Sequence, residues 1–147
     1  MLSKKSKYAI KALTCLAKRY ESKTLLKIAT ISEEEKIPKK FLEAILVELR
    51  NNGLLHSKLG ANGGYYLAKH PNEIFLSTVI RLSGGPIALL PCVSLNFYEP
   101  CTECENEKTC GLKSVLKEVR EATVQILSRT SIADLLKKES VLIDSGL

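Results

Sequence analysis

Between Pro38 and Ala68 the chain spells out a helix, its stop and a hairpin, one directly after another. Proline is favoured at the first position of a helix, where its missing N–H costs nothing. From Lys39 the apolar residues Phe41, Leu42, Ile45, Leu46 and Leu49 recur at three- and four-residue spacing, which predicts one buried helix face. Asn52-Gly53 is a helix stop. Leu54-Leu55-His56-Ser57 then reads as a short strand, Gly60-Ala61-Asn62-Gly63-Gly64 as a turn and Tyr65-Tyr66-Leu67 as the returning strand.

The preceding residues supply two more helices. Ser3 is a candidate N-cap for a helix over about Lys4 to Arg19, with Tyr8, Ile10, Leu13, Leu16 and Ala17 at helical spacing. A second helix is predicted from Thr24 to Glu34, turning Leu25, Ile28, Ala29 and Ile31 to a core, and Glu35-Lys36-Ile37 joins it to the third. Three helices and a two-stranded wing make the fold class mainly α, a winged helix-turn-helix. The charge agrees with a polyanionic partner for this half. Residues 1–70 carry 14 Lys+Arg against 6 Asp+Glu, whereas residues 71–147 carry 8 against 10.

The remainder is organised differently. Leu76 to Leu82 predicts a short helix, stopped at Ser83-Gly84-Gly85-Pro86. About 25 residues without periodicity follow, holding Cys92, Cys101, Cys104 and Cys110, and a loop of that length needs an organiser. Leu112, Val115, Val119, Ala122, Ile126 and Leu127 then form an apolar stripe on a long helix. Such a face suits a partner subunit, or else packs on its own winged domain. Ser131 or Asp134 caps a last short helix through Leu136. The predicted organisation is thus a DNA-binding domain over 1–70, a short helix and cysteine-rich sensor loop over 71–110, a dimerisation helix and short terminal helix over 111–138, and a loose tail over 139–147.

Spacing makes the cysteines the chemical centre. In Cys92-x8-Cys101-x2-Cys104-x5-Cys110 the C-x-x-C pair can bring two thiolates to one metal, and two further thiolates complete four-coordination. Cys110 precedes the long helix, whose N-terminus favours thiolate. An iron–sulfur cluster, a zinc ion or a metal-free thiol switch all fit this pattern. Cys15 falls on the apolar face of the first helix and reads as an inert core residue. The apolar runs are too short to cross a bilayer and no signal-peptide pattern opens the chain, so a cytoplasmic address without membrane partners is expected. His56 and His70 are isolated and no nucleophile–base set is visible, so no enzyme is expected.

Several of these segments together resemble the iron–sulfur-cluster regulators among bacterial winged-helix repressors, the IscR, NsrR and CymR type. Ser6-Lys7-Tyr8-Ala9 is similar to the family's first helix, Ile37 to Glu43 and Leu49 to Leu54 to the two ends of its recognition helix, and Ser57 to Ala68 to its glycine-rich wing. The resemblance spans about residues 1–136. It implies a homodimer bound to double-stranded, palindromic promoter DNA, with a long C-terminal helix crossing to the other subunit. It also implies a cluster in the cysteine loop, of 2Fe–2S or 4Fe–4S type. Relatives typically use three cysteines and one other ligand, whereas this loop offers four cysteines at altered spacing.

Candidate DNA contacts follow from the same segments. Lys39, Lys40, Glu43 and Ala44 lie at the start of the third helix, off its apolar face. There, lysine can reach guanine or phosphate, glutamate can accept from cytosine N4, and an alanine methyl can touch a thymine methyl. Ser57 and Lys58 can bond phosphates, Asn62 sits at the hairpin tip, and Gly60, Gly63 and Gly64 let the backbone approach closely. One departure stands out: relatives commonly carry arginine before the wing glycine, and here that residue is Leu59, with Lys58 as a partial replacement. The expected function is a dimeric transcriptional regulator, most simply a repressor, whose DNA binding follows the state of the cysteines. A small electron-transfer protein would leave the recognition helix and wing without a purpose, and a plain architectural DNA binder would leave the cysteines without one.

Overall fold

A computed structural model describes residues 2–146. The chain forms α1 (Lys4–Ala17), α2 (Ile28–Glu35), α3 (Lys39–Asn51), β1 (Leu55–Lys58), β2 (Gly64–Leu67), α4 (Leu76–Leu82), α5 (Gly111–Arg129) and α6 (Ile132–Asp144). Single 3-10 turns lie at Pro71–Glu73, Pro91–Val93 and Glu107–Thr109. Ser3 caps α1, its Oγ accepting from the Ser6 N–H at 3.0 Å. Pro38 takes the cap position of α3 and the helix begins one residue later.

One core joins the first three helices to the wing. Leu13 of α1, Ile31 of α2, Leu42, Leu46 and Leu49 of α3, and Leu55 of β1 are all fully buried within it. Strands β1 and β2 pair antiparallel in the register Leu55↔Leu67 to Lys58↔Gly64. A serine chain fastens α4 to α1: Ser3 donates to the Ser6 Oγ at 2.8 Å, the Ser6 and Ser83 hydroxyls are hydrogen-bonded at 2.8 Å, and Ser83 donates to the Val79 carbonyl.

Three sequence expectations are corrected. The second helix starts at Ile28, four residues later than predicted, because residue 26 is recruited as strand: Leu26 exchanges both backbone hydrogen bonds with Tyr65 of the wing. Tertiary pairing here overrides a helical pattern. Phe41 leaves the predicted core face and is 64% exposed. The buried arc of α3 centres on Leu42, Leu46 and Leu49, and Phe41 lies at its edge in the first turn. The tail expected to be loose over 139–147 is helical through Asp144, with Leu147 outside the described residues. A reciprocal cap between Ser131 and Asp134 starts α6, and Leu-Leu-Lys-Lys-Glu continues it.

Among its attachments to the winged core, the C-terminal half has a backbone seam. Leu76 N–H donates to Thr130 C=O and Ile132 N–H to Ile74 C=O, each at 2.9 Å, and Ile132 is fully buried. From that seam α5 projects with no residue fully buried, leaving Leu112, Val115, Val119 and Ile126 exposed along one side.

Candidate functional site

Two surfaces emerge from this arrangement. The first joins α3 to the wing. Burial of Leu42, Ile45, Leu46 and Leu49 turns the opposite side of α3 outward, so Lys39, Lys40, Glu43 and Ala44 are all exposed at its N-terminal end. Phe41 joins them there. In the hairpin Lys58, Gly60 and Asn62 are exposed and Ser57 is half-buried. Leu59, at 93% exposure, stands out at the tip. Arg50 donates from Nη1 to the Ser57 Oγ at 3.2 Å, joining the end of α3 to β1. The sequence reading passed over Arg50; its signal was a basic residue in the last helical turn, just before the hairpin. On the inner side Lys5 of α1 pairs with Glu48 at 2.7 Å, so that carboxylate is answered within the fold.

The wing glycines divide by use. A Cβ at Gly63 would lie 2.0 Å from the Lys58 carbonyl oxygen, and one at Gly64 would lie 2.6 Å from that of Leu26. The Gly63 N–H donates to the Gly60 carbonyl at 3.0 Å. Gly63 and Gly64 therefore serve the closeness of the hairpin and of its third strand, and Gly60 alone of the three is fully open to solvent.

The second surface is the cysteine loop at the base of α5. Cys101, Cys104 and Cys110, each half-buried, line one open cleft, with Cys104 Sγ 3.9 Å from Cys110 Sγ. Cys92 stands apart: it is 7% exposed, in the Pro91–Val93 turn. Sequence spacing offered four thiols as one set, and the fold brings three of them together. Cys110 is the N-cap of α5. Its sulfur accepts from the Lys113 N–H at 3.4 Å, and that bond draws its thiol below the ordinary range. Hydrogen bonds to Cys101 and Cys110, with burial, push the Cys104 thiol up to about 12. Of that pair Cys110 is thus the first to ionise, with Cys104 as its donor.

Sequence analysis also missed Glu107, which organises the loop. Its carboxylate pairs with the Lys113 ammonium and accepts from the Cys101 N–H at 2.7 Å and the Tyr98 O–H at 2.9 Å. These partners, Lys113 first, hold it down at about 2. The hint was a carboxylate six residues before a lysine in the first turn of the next helix.

The donor chemistry fits a thiophilic metal group. Three soft sulfur donors line one cleft beside a helix N-terminus and Lys113, both of which offset thiolate charge. Two thiolates on one tetrahedral metal at about 2.3 Å lie roughly 3.8 Å apart, close to the 3.9 Å between Cys104 and Cys110. Among the described residues no three His, Cys, Asp or Glu side chains are yet drawn in closely enough to hold one ion. A bound group would have to gather the loop further.

Known proteins share this architecture. The model of the Rrf2 family, described as an iron-dependent transcriptional regulator, matches residues 2–138. An HTH-type transcriptional regulator of Rhodobacter capsulatus, described as rrf2-like, is 39% identical over 138 residues, covering 92% of either chain. The solved structure of CymR, the global cysteine regulator of B. subtilis, superposes with a TM-score of 0.76 at 27% identity, over 94% of this chain and 97% of that one. IscR of T. potens superposes with a TM-score of 0.72 at 27% identity, over 95% and 88%.

Proposed function

Since the chain belongs to the Rrf2 family of transcriptional regulators, we propose that it acts as a homodimeric repressor on palindromic promoter DNA under the control of its cysteine loop. The observation that carries this reading is the continuity of the cysteine loop with the apolar side of α5. The 92–110 loop ends in Cys110, the N-cap of α5, and α5 is the helix whose exposed apolar side suits a second copy. A palindrome measures the distance between two recognition helices, so a change at the base of the dimer helix alters what the dimer can span.

In this reading α3 enters the major groove with Lys39, Lys40, Glu43 and Ala44 toward the bases, and the wing tip with Ser57, Lys58, Gly60 and Asn62 lies along the flanking backbone. Gly63 and Gly64 hold the wing in the shape that permits this. Leu112, Val115, Val119 and Ile126 form the dimer seam. No helix among the described residues is long and apolar enough to cross a membrane, and the protein works in the cytoplasm, where promoter DNA lies.

An iron–sulfur cluster, held by Cys101, Cys104 and Cys110 with Cys92 as the fourth thiol in reach of a rearranged loop, would supply sensitivity to oxidants and to iron supply. The chain's own contribution is to lower the Cys110 thiol, to place Lys113 against the accumulated negative charge, and to fasten Cys101 through Glu107. Zinc on the same thiolates is the second reading, favoured by the tetrahedral spacing of Cys104 and Cys110.

The test is anaerobic purification with metal and sulfide analysis, followed by operator binding before and after metal removal. Iron with sulfide and a binding constant that changes on removal supports the cluster. Stoichiometric zinc supports the second reading. Equal binding in both states overturns control by the loop.

A further inference from the structure

One helix face holds both arms of the cysteine loop. Lys113, in the first turn of α5 with a side chain only 14% exposed, pairs with Glu107, and Glu107 in turn holds the Cys101 N–H and the Tyr98 hydroxyl. Seven residues further along, Arg120 donates from Nη1 to the Val93 carbonyl at 2.6 Å. Val93 follows Cys92 directly, and the Arg120 side chain is 11% exposed. At 3.6 residues per turn, positions seven apart share a face, about 10 Å from one another along the axis. The two attachments thus grip the 91–94 turn and the 98–107 arm at separate points. They lie about a third of a turn around α5 from Val115 and Val119, at 100° per residue.

We infer that Lys113 and Arg120 are positioning residues that fasten the two arms of the cysteine loop to α5, so that rearrangement of the loop is passed to that helix as movement. This rests on the proposed control of DNA binding by the loop and names the side chains that carry it. The Arg120 contact has a particular character. Its Nε–H is buried without a partner, and Nη2 reaches only to the adjacent Glu121 at 3.1 Å. A buried unpaired donor is costly to keep, so the guanidinium has a free donor with which to follow the Val93 turn when Cys92 moves. An ammonium or an amide in its place lacks the fork needed to hold one carbonyl while reaching for another.

The test uses the full-length chain carrying Lys113→Gln and Arg120→Gln together, and Arg120→Lys alone. Two readouts are taken on reduced, metal-free protein: hydrogen exchange at the Cys101 amide and the rate of Cys92 alkylation by iodoacetamide. A third is the ratio of operator dissociation constants between metal-free protein and protein reconstituted with iron and sulfide. In the double variant the Cys101 amide exchanges faster and Cys92 alkylates at least tenfold faster. Dimer mass and helical content stay unchanged, metal-free binding stays within twofold of wild type, and the ratio between states falls at least fivefold toward one. Arg120→Lys reproduces part of the alkylation increase with an intact fold, which separates loosening of the loop from unfolding. A loosened loop with an unchanged ratio, or no loosening at all, overturns the inference alone. A wild-type ratio of one overturns the control reading and this inference with it.

Discussion

The backbone of Gly64 runs against that of Leu26 so closely that a Cβ on residue 64 would meet the Leu26 carbonyl oxygen at 2.6 Å and its carbon at 2.8 Å. The next residue, Tyr65, exchanges both backbone hydrogen bonds with Leu26, at 2.7 and 3.0 Å. The wing is therefore a hairpin braced by a third, one-residue strand from the α1–α2 connection.

Gly64→Ala must push those two backbones apart, and neither is a flexible side chain that can step aside. Overpacking of this kind costs about 1–3 kcal/mol, more when backbone is displaced. Urea denaturation is expected to show a loss of that size, with faster amide exchange at Leu26 and Tyr65. An unchanged midpoint would show the brace to be soft.

Phe41 and Leu42 are neighbours with opposite surroundings, 64% and 0% exposed. Phe41→Ala is expected to change folding stability by no more than about 0.5 kcal/mol, as for ordinary surface positions. Leu42→Ala empties a core site and costs about 2–5 kcal/mol. If α3 lies in the major groove, Phe41→Ala also weakens operator binding, since most of the residue is uncovered and it follows Lys40 in the first turn of the helix. Thermal melts and binding titrations on the two variants check both halves.

How far the sequence carried can be seen at these same residues. Spacing alone located α3, its stop and the hairpin, since helix period, Pro38 and Asn52-Gly53 are local signals. It placed Phe41 in the core because a 3/4 pattern cannot say which edge of an apolar arc a neighbouring element reaches. The Leu26–Tyr65 pairing is long-range and leaves no local mark. The cysteine set was visible as a spacing, but its division into three gathered thiols and a separate Cys92 depends on Glu107, Lys113 and Arg120. None of these residues carries a metal-site signature.

Cys15 was legible, and its chemistry follows from its setting. Burial first, then a hydrogen bond to Glu34 at 3.4 Å, pushes its thiol up to about 12 from an ordinary value of 9.0. Native protein at pH 8 is expected to leave Cys15 unmodified by iodoacetamide while Cys101 and Cys110 react, as read by mass spectrometry of digests. The folded state binds this proton more tightly than the unfolded chain does. The resulting stability is therefore complete below about pH 9 and is lost as pH rises from 9 toward 12. Replacing Cys15 with Ala removes that part of the alkaline decline in melting temperature, so a wild-type and variant decline of equal steepness would contradict the assignment.

Leu59 tests the DNA-facing reading most directly. It is 93% exposed at the wing tip, between the exposed Lys58 and Gly60, on a hairpin whose close backbone packing needs glycine at 63 and 64. A leucine there cannot pair with phosphate or with the acceptors of the minor groove, so any affinity it adds is apolar and insensitive to salt. Leu59→Arg places a cation at the same point. Each added phosphate contact steepens the dependence of log K on log salt by about 0.9. The variant is thus expected to bind operator more tightly than wild type at low salt, with a slope steeper by about one, and to lose most of that advantage at high salt. Leu59→Ala is expected to leave the slope unchanged. Titrations by fluorescence anisotropy across a salt series measure both. Identical slopes for wild type and Leu59→Arg would show that the wing tip stands clear of the DNA, and would move the reading of this surface onto α3 alone.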